Sequence, residues 1–110
     1  MIIKFDNLDK NKVLNMRNGE GFVYIQKHNS DGKMIAKITI PPLSSIGYHT
    51  HTDDDEVVYV LKGTGTCIMG NERVTLVAGD INYTPKNNSH SIINDSDKDL
   101  EILAVITKLN

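Results

Sequence analysis

The stretch Gly47-Tyr48-His49-Thr50-His51-Thr52-Asp53-Asp54-Asp55-Glu56, continued by Val57-Val58-Tyr59-Val60-Leu61-Lys62-Gly63, decides the fold class. His49 and His51 are two apart, so on a β-strand both imidazoles project from one face. His51 and Glu56 are five apart, an odd number, and cannot face the same way on one continuous strand. A turn through Thr52-Asp53-Asp54-Asp55 resolves the conflict. It places the histidines on one strand and the glutamate on its antiparallel partner. The β-branched run after Glu56 supplies that partner.

A second stretch runs from Gly79-Asp80 through Pro85 to His90 and Asn94. Read as a hairpin, it puts His90, Ile92 and Asn94 on one face. Two hairpins meeting inside a closed sheet would bring His90 to His49, His51 and Glu56. Imidazole plus carboxylate suits a divalent Zn, Fe, Ni or Mn ion, and open coordination positions would make such a site chemical rather than purely structural.

The rest of the chain is punctuated like an all-β protein. Short β-branched runs alternate with Gly, Asn, Asp and Pro clusters. The pattern predicts strands over Ile2–Phe5, Gly21–His28, Met34–Ile40, Gly47–His51, Glu56–Lys62, Gly65–Met69, Glu72–Leu76, Asp80–Thr84, Ser89–Ile93 and Leu100–Thr107. Asn29-Ser30-Asp31-Gly32 reads as a hairpin loop, Gly70-Asn71 as a two-residue turn, and Asn87-Asn88 as a turn tolerant of positive φ. The polar interval Asn7–Asn18 has room for one short helical turn. Closure into a barrel would dispose of edge strands.

Composition narrows the class further. The 110 residues fit one domain spanning 1–110, with 39% hydrophobic and 24% charged residues, as in a soluble globule. A net charge of −2 gives no basic footprint for nucleic acid or an anionic membrane surface. The run Val57–Leu61 is too short to span a bilayer, and the N-terminus lacks the pattern of a signal peptide. Cys67 is the only cysteine, so no intrachain disulfide forms and the cytoplasm is the expected compartment.

The two stretches together resemble the conserved motifs of the cupin superfamily. His49-x-His51-x4-Glu56-x6-Gly63 is similar to motif one, within residues 47–63, and Gly79-x5-Pro85-x-Asn87-x2-His90-x3-Asn94 to motif two, within residues 79–94. Two positions depart from the usual pattern. Gly47 lies nearer the first histidine than the leading glycine of motif one, and Asn87 stands in place of a glycine. Neither touches a ligand position. The resemblance implies a small single-domain cupin: an all-β jelly-roll barrel, or double-stranded β-helix, with a divalent metal held by His49, His51, Glu56 and His90. Three neutral imidazoles and one carboxylate around such an ion leave a net charge near +1, which favours an anionic substrate oxygen.

The resemblance also implies a range of chemistries: dioxygenases, decarboxylases, isomerases, lyases and cyclases share this ligand set. An oxygenase acting on a small oxygenated molecule is the leading expectation, with Glu56 as ligand or as base. A non-catalytic small-molecule or metal sensor is the alternative. Other polar residues read as structural. His28 falls near a hairpin loop, Asp53–Asp55 form a solvated turn, Cys67 is a small buried hydrophobe, and Tyr48, Tyr59 and Tyr83 are packing residues. Val57–Leu61 and Leu100–Ile106 are apolar on both strand faces, of which only one can look into a barrel. A homodimer is therefore expected, with the second subunit covering the outer face.

Overall fold

The computed structural model describes residues 1–109, and among these all regular structure is strand apart from two 3-10 turns. The strands are β1 (Asn11–Leu14), β2 (Phe22–Ser30), β3 (Lys33–Ile40), β4 (Ser45–Thr50), β5 (Asp54–Lys62), β6 (Thr64–Met69), β7 (Glu72–Val77), β8 (Ile81–Thr84), β9 (Ser89–Ile93) and β10 (Leu100–Lys108). They form a six-stranded sheet of order β1-β2-β3-β10-β5-β8 and a four-stranded sheet of order β4-β9-β6-β7. This is the jelly-roll expected from the sequence.

The core lies between the sheets and follows the period of two. On β10, Leu100, Ile102 and Ala104 are wholly buried, while Glu101, Leu103 and Val105 face outward. Ile102 is opposite Ile38 of β3 on one side and Val60 of β5 on the other. Ile92, Ile46 and Cys67 approach from the smaller sheet. Each fully buried aliphatic side chain contributes roughly 1.5–3 kcal/mol. Turn chemistry fixes the hairpin registers: Asp31 and Gly32, with φ of 50° and 73°, form the tight turn between β2 and β3.

Two expectations about connectivity are corrected. First, β4 and β5 are not partners: β4 pairs with β9, whereas β5 pairs with β10 and β8. The acidic turn after His51 thus carries the chain from one sheet to the other. Second, β8 and β9 do not form a hairpin, since β8 joins β5 and β9 joins β4 and β6. Parity constrains facing but cannot distinguish a hairpin from a crossing between stacked sheets. The jelly-roll barrel is built from these two facing sheets, whose outermost strands are β1 and β8 in one and β4 and β7 in the other. Edge strand β7 is exposed except for Leu76 and begins Glu72-Arg73, charges that discourage pairing with another chain.

The N-terminal third also differs. Residues 1–4 are irregular and Phe5–Asn7 form a 3-10 turn, where Ile2–Phe5 had read as a strand. The segment is held by a side chain instead of a ladder: Gln26 Nε2 donates to the Phe5 carbonyl at 2.7 Å. The interval Asn7–Asn18 holds a strand as well as the expected short turn. The one lysine of β1, Lys12, covers an aromatic ring of β2, lying 4.2 Å from the centroid of Phe22. The second 3-10 turn, Met16–Asn18, packs across β4. No helix among the described residues is long and apolar enough to cross a membrane.

Candidate metal centre

The four expected ligand residues converge from both sheets. His49 on β4 is the direct partner of His90 on β9, and His51 follows immediately after β4. Glu56 comes from the inner face of β5, beside Thr84 of β8. The two motifs are tied by backbone hydrogen bonds, His51 N–H to the Asn88 carbonyl and Asn87 N–H to the His51 carbonyl. Asn87 takes φ of 70°, the left-handed conformation that lets it replace the usual glycine.

One donor atom from each of the four residues lies within 4.8 Å of all the others. His49 Nε2 and His90 Nε2 each lie 3.2 Å from His51 Nε2. The nearer Glu56 oxygen is 3.0 Å from His51 Nε2 and 2.8 Å from His90 Nε2. His51, Glu56 and His90 are buried and His49 is half-buried.

The far side of each ring is occupied. His49 Nδ1–H donates to the Gly47 carbonyl at 2.6 Å, and His51 Nδ1–H donates to Asp54 at 2.6 Å. His90 Nδ1–H donates to Asn82 Oδ1 at 2.7 Å, with Thr84 Oγ1 at 3.0 Å. With Nδ1 protonated, a neutral ring presents a bare lone pair at Nε2. Three such lone pairs and a carboxylate oxygen then meet at one point. Acceptor faces acceptor at hydrogen-bond distance, an arrangement that calls for a cation at the centre. A divalent ion about 2.1 Å from each donor would set neighbouring donors roughly 3.0–3.4 Å apart, in line with the imidazole spacings. The residues fit a metal, and the outer hydrogen bonds are those that orient metal-bound imidazoles.

Electrostatics agrees. With no ion present, protons on the Nε2 atoms facing Glu56 take the ion's place: burial alone would push the carboxyl up, but hydrogen bonds from His51 and His90 outweigh it and hold the pKa at about 2. The hydrogen bond to Glu56 raises the pKa of His51 against the effect of burial, with Asp54 adding to the rise. His49 is shifted downward, chiefly by burial, against its bond to Gly47, with His90 and Arg17 adding to the fall.

A small cavity of about 20 Å3, traced by the centre of a water-sized sphere, opens beside the donors. That is room for a water or so. Apart from His49, Glu56 and His90, its lining is apolar, including Met16, Met34, Ile38 and Ile102, with one exception, Arg17. Arg17, Asp54, Asn82 and Thr84 complete the site without standing out in the sequence. Asn82 and Thr84 were legible in principle, being two apart on one strand and facing inward. Asp54 was grouped with its neighbours as a solvated turn, yet it orients His51. Nothing in the local sequence points Arg17 at residues some thirty positions away.

Other residues fall largely as expected. Cys67 is buried, and burial raises its thiol to about 11, so it is an inert core residue. His28 pairs with Ser30 on the outer side of β2. Tyr48, Tyr59 and Tyr83 are each more than a third exposed, so they are surface residues rather than the packing residues expected.

Known proteins share this architecture. The chain is 33% identical to an oxalate-binding protein of Thermotoga maritima, over 99% of this chain and 95% of that one. It superimposes with a TM-score of 0.93 on the crystal structure of a predicted oxalate decarboxylase from Thermotoga maritima, at 34% identity and covering 99% of this chain and 100% of that chain. KdgF from a Halomonas species has the same fold, with a TM-score of 0.84 at 15% identity, over 100% of this chain and 96% of that chain. A cupin domain model matches residues 36–106, a span that runs from β3 to β10 and contains all four converging donors, and the chain belongs to the cupin family.

Proposed function

We propose that this protein is a metal-binding cupin that captures a small carboxylate of the oxalate class at His49, His51, Glu56 and His90. The observation that carries this reading is the convergence of three Nε2 lone pairs and one Glu56 oxygen, each imidazole fixed from behind by Gly47, Asp54 or Asn82. A divalent cation there would supply a Lewis-acid site for a carboxylate oxygen. The names carried by the Thermotoga maritima matches support oxalate as the class. They give no support to the oxygenase expected from the ligand set.

Binding is preferred to turnover for a reason of proton supply. Decarboxylation of an oxalate-type acid leaves a carbon that must be protonated as CO2 departs. The cavity lining holds no acid beyond Glu56, which sits at about 2 as a carboxylate. Glu56 thus acts as a ligand rather than as a general acid. Buried, unpaired Cys67 is in keeping with a reducing cytoplasm.

Calorimetric titration of oxalate into metal-loaded and metal-stripped protein tests the reading, with formate assayed in parallel. Metal-dependent oxalate binding without formate release is expected. Formate release would replace the binding reading with a decarboxylase. Failure of the metal-loaded protein to bind any small carboxylate would overturn it.

A further inference from the structure

Arg17 is one of two arginines in the chain and the one cation in the lining of the cavity. It belongs to neither motif. It reaches the cavity from the 3-10 turn Met16–Asn18, which packs across β4, and shares the lining with His49, Glu56 and His90. Among the described residues its guanidinium makes no ion pair and no side-chain hydrogen bond. An unpaired fork of donors beside a cluster of lone pairs is arranged for an anion that arrives from outside.

The turn is built to keep it there. Arg17 has φ of 54°, in the left-handed region, which is unfavourable for a long side chain with a Cβ. The other left-handed residues of this segment are Asn15, Asn18 and Gly21, types that tolerate the conformation. Arg17 is the exception. Two glycines let the turn lie flat on β4: a Cβ at Gly47 would collide with the Arg17 carbonyl, and one at Gly19 would collide with the Ser45 carbonyl. The Asn15 side chain closes the turn, donating to the Gly19 carbonyl at 3.1 Å. Backbone strain at an exposed arginine that lines the cavity, its carbonyl seated against Gly47, is a mark of a positioned functional group.

We propose that Arg17 is the specificity residue of the site: its guanidinium receives one carboxylate of a small dicarboxylate whose other end lies at His49, His51, Glu56 and His90. This rests on the carboxylate reading of the site and adds a second anchor to it. A single carboxylate would need only the donor cluster. Two carboxylates joined directly, as in oxalate, or through one carbon, as in malonate, would reach from the cluster towards the arginine.

The test is calorimetry on Mn2+-loaded wild type and Arg17→Met, with oxalate, malonate and formate as probes, plus metal analysis and thermal melts. Arg17→Met should weaken oxalate binding by about 10- to 100-fold, the loss of a charge-assisted pair. Formate binding should change by less than about threefold, and metal content should be unchanged. Arg17→Lys should recover part of the affinity, since it restores charge but not the fork. Arg17→Gly relieves the left-handed strain, so it should melt no lower than wild type while losing oxalate affinity. Oxalate affinity within about twofold of wild type in Arg17→Met overturns the arginine role and leaves the site reading intact. A drop in melting temperature and metal content in Arg17→Gly makes the residue structural and also overturns it. Malonate captured in preference, and lost in Arg17→Met, upholds the arginine role and replaces oxalate as the ligand. No binding of either diacid by wild type overturns both readings.

Discussion

Three imidazoles that present Nε2 inward do so because each Nδ1 proton has an oxygen to go to, and those oxygens differ in kind. Gly47 offers a carbonyl, Asn82 an amide and Asp54 a carboxylate. The charged partner makes its ring the strongest donor, so His51 is the residue on which the centre depends most. His51→Ala should strip the metal and leave a folded protein, because the core is carried by aliphatic residues of other strands; elemental analysis and circular dichroism check both halves. Asp54→Asn should keep the fold and lower metal affinity by about 10- to 100-fold; wild-type affinity in a competition with chelator would remove Asp54 from the centre. Titration follows from the same contacts. Metal occupancy should fall as pH drops through about 6, since protons compete for the imidazoles, and a flat occupancy down to about pH 4.5 would contradict a three-histidine site. In the metal-free protein Glu56 has its pKa lowered from 4.5 to about 2. Its contribution to stability is complete above 4.5 and is lost as pH falls through about 2. His51, raised by Glu56, contributes in the opposite sense: fully below 6.5, and lost as pH rises through its folded value. Melts in the presence of chelator should therefore show wild type losing more stability than Glu56→Gln between about pH 4.5 and 2; parallel curves would mean that the carboxylate is not held by its histidines.

Strands and the connections between them carry unequal information in the sequence. The inward alternation of Leu100, Ile102 and Ala104, the β-branched run of β5 and the Asp31-Gly32 turn each state their structure locally, and the structure agrees within a residue or two. The convergence of four donor residues was legible for the same reason, since His49, His51, Glu56 and His90 sit in two short stretches of fixed spacing. What was hidden is which sheet a strand joins after its turn, because a hairpin and a crossing between stacked sheets impose the same parity on His51 and Glu56. The N-terminal region was hidden more deeply. Asn11-Lys12-Val13-Leu14 has too little alternation to announce a strand, and the segment Phe5–Leu8 is placed by a single distant side chain, Gln26. The turn at Met16–Asn18 is in turn placed by close backbone approach to β4 at Gly19 and Gly47, a property of packing that no local pattern expresses. That approach gives an element-level prediction. Gly47→Ala would push a methyl group into the Arg17 carbonyl, and because the obstacle is backbone, the turn must lift off β4. A loss of roughly 1–3 kcal/mol is expected from such overpacking, read by denaturant melts, with the 15–19 segment gaining amide exchange. A variant as stable and as protected as wild type would show that the turn is not seated by this contact.

At the scale of the whole molecule, the outer face of the larger sheet is the surface left to explain. Its rows follow from the register: Val105, Val57 and Tyr83 lie side by side, and next to them Leu103, Tyr59 and Ile81. Tyr59, Ile81 and Tyr83 are each more than a third exposed, and Leu61 at the end of β5 is 41% exposed. Scattered apolar residues on a surface need no explanation, but two adjacent rows across three strands make a contiguous patch. The N-terminal segment does not cover it. Phe5–Asn7 lie towards the β2 side, bonded to Gln26, and leave an open groove against Leu61 and Leu103. A second copy of this chain, related by a twofold axis, is the proposed cover, since an isologous contact buries the same patch on both subunits at once. A standard interface removes about 1,200–2,000 Å2 from water, within reach of a sheet face of this extent, and at roughly 25 cal/mol per Å2 its apolar share favours association. The metal donors lie on the opposite, inner side of the same sheet and between the sheets, so assembly and metal binding should separate cleanly. Light scattering at micromolar concentration should give about twice the monomer mass. The double variant Tyr59→Lys and Leu103→Lys, which sets two cations side by side in the middle of the patch, should scatter as a monomer while keeping its full complement of metal. A wild type that is a monodisperse monomer would sink the proposal, and a double variant that remains dimeric would move the interface to another face.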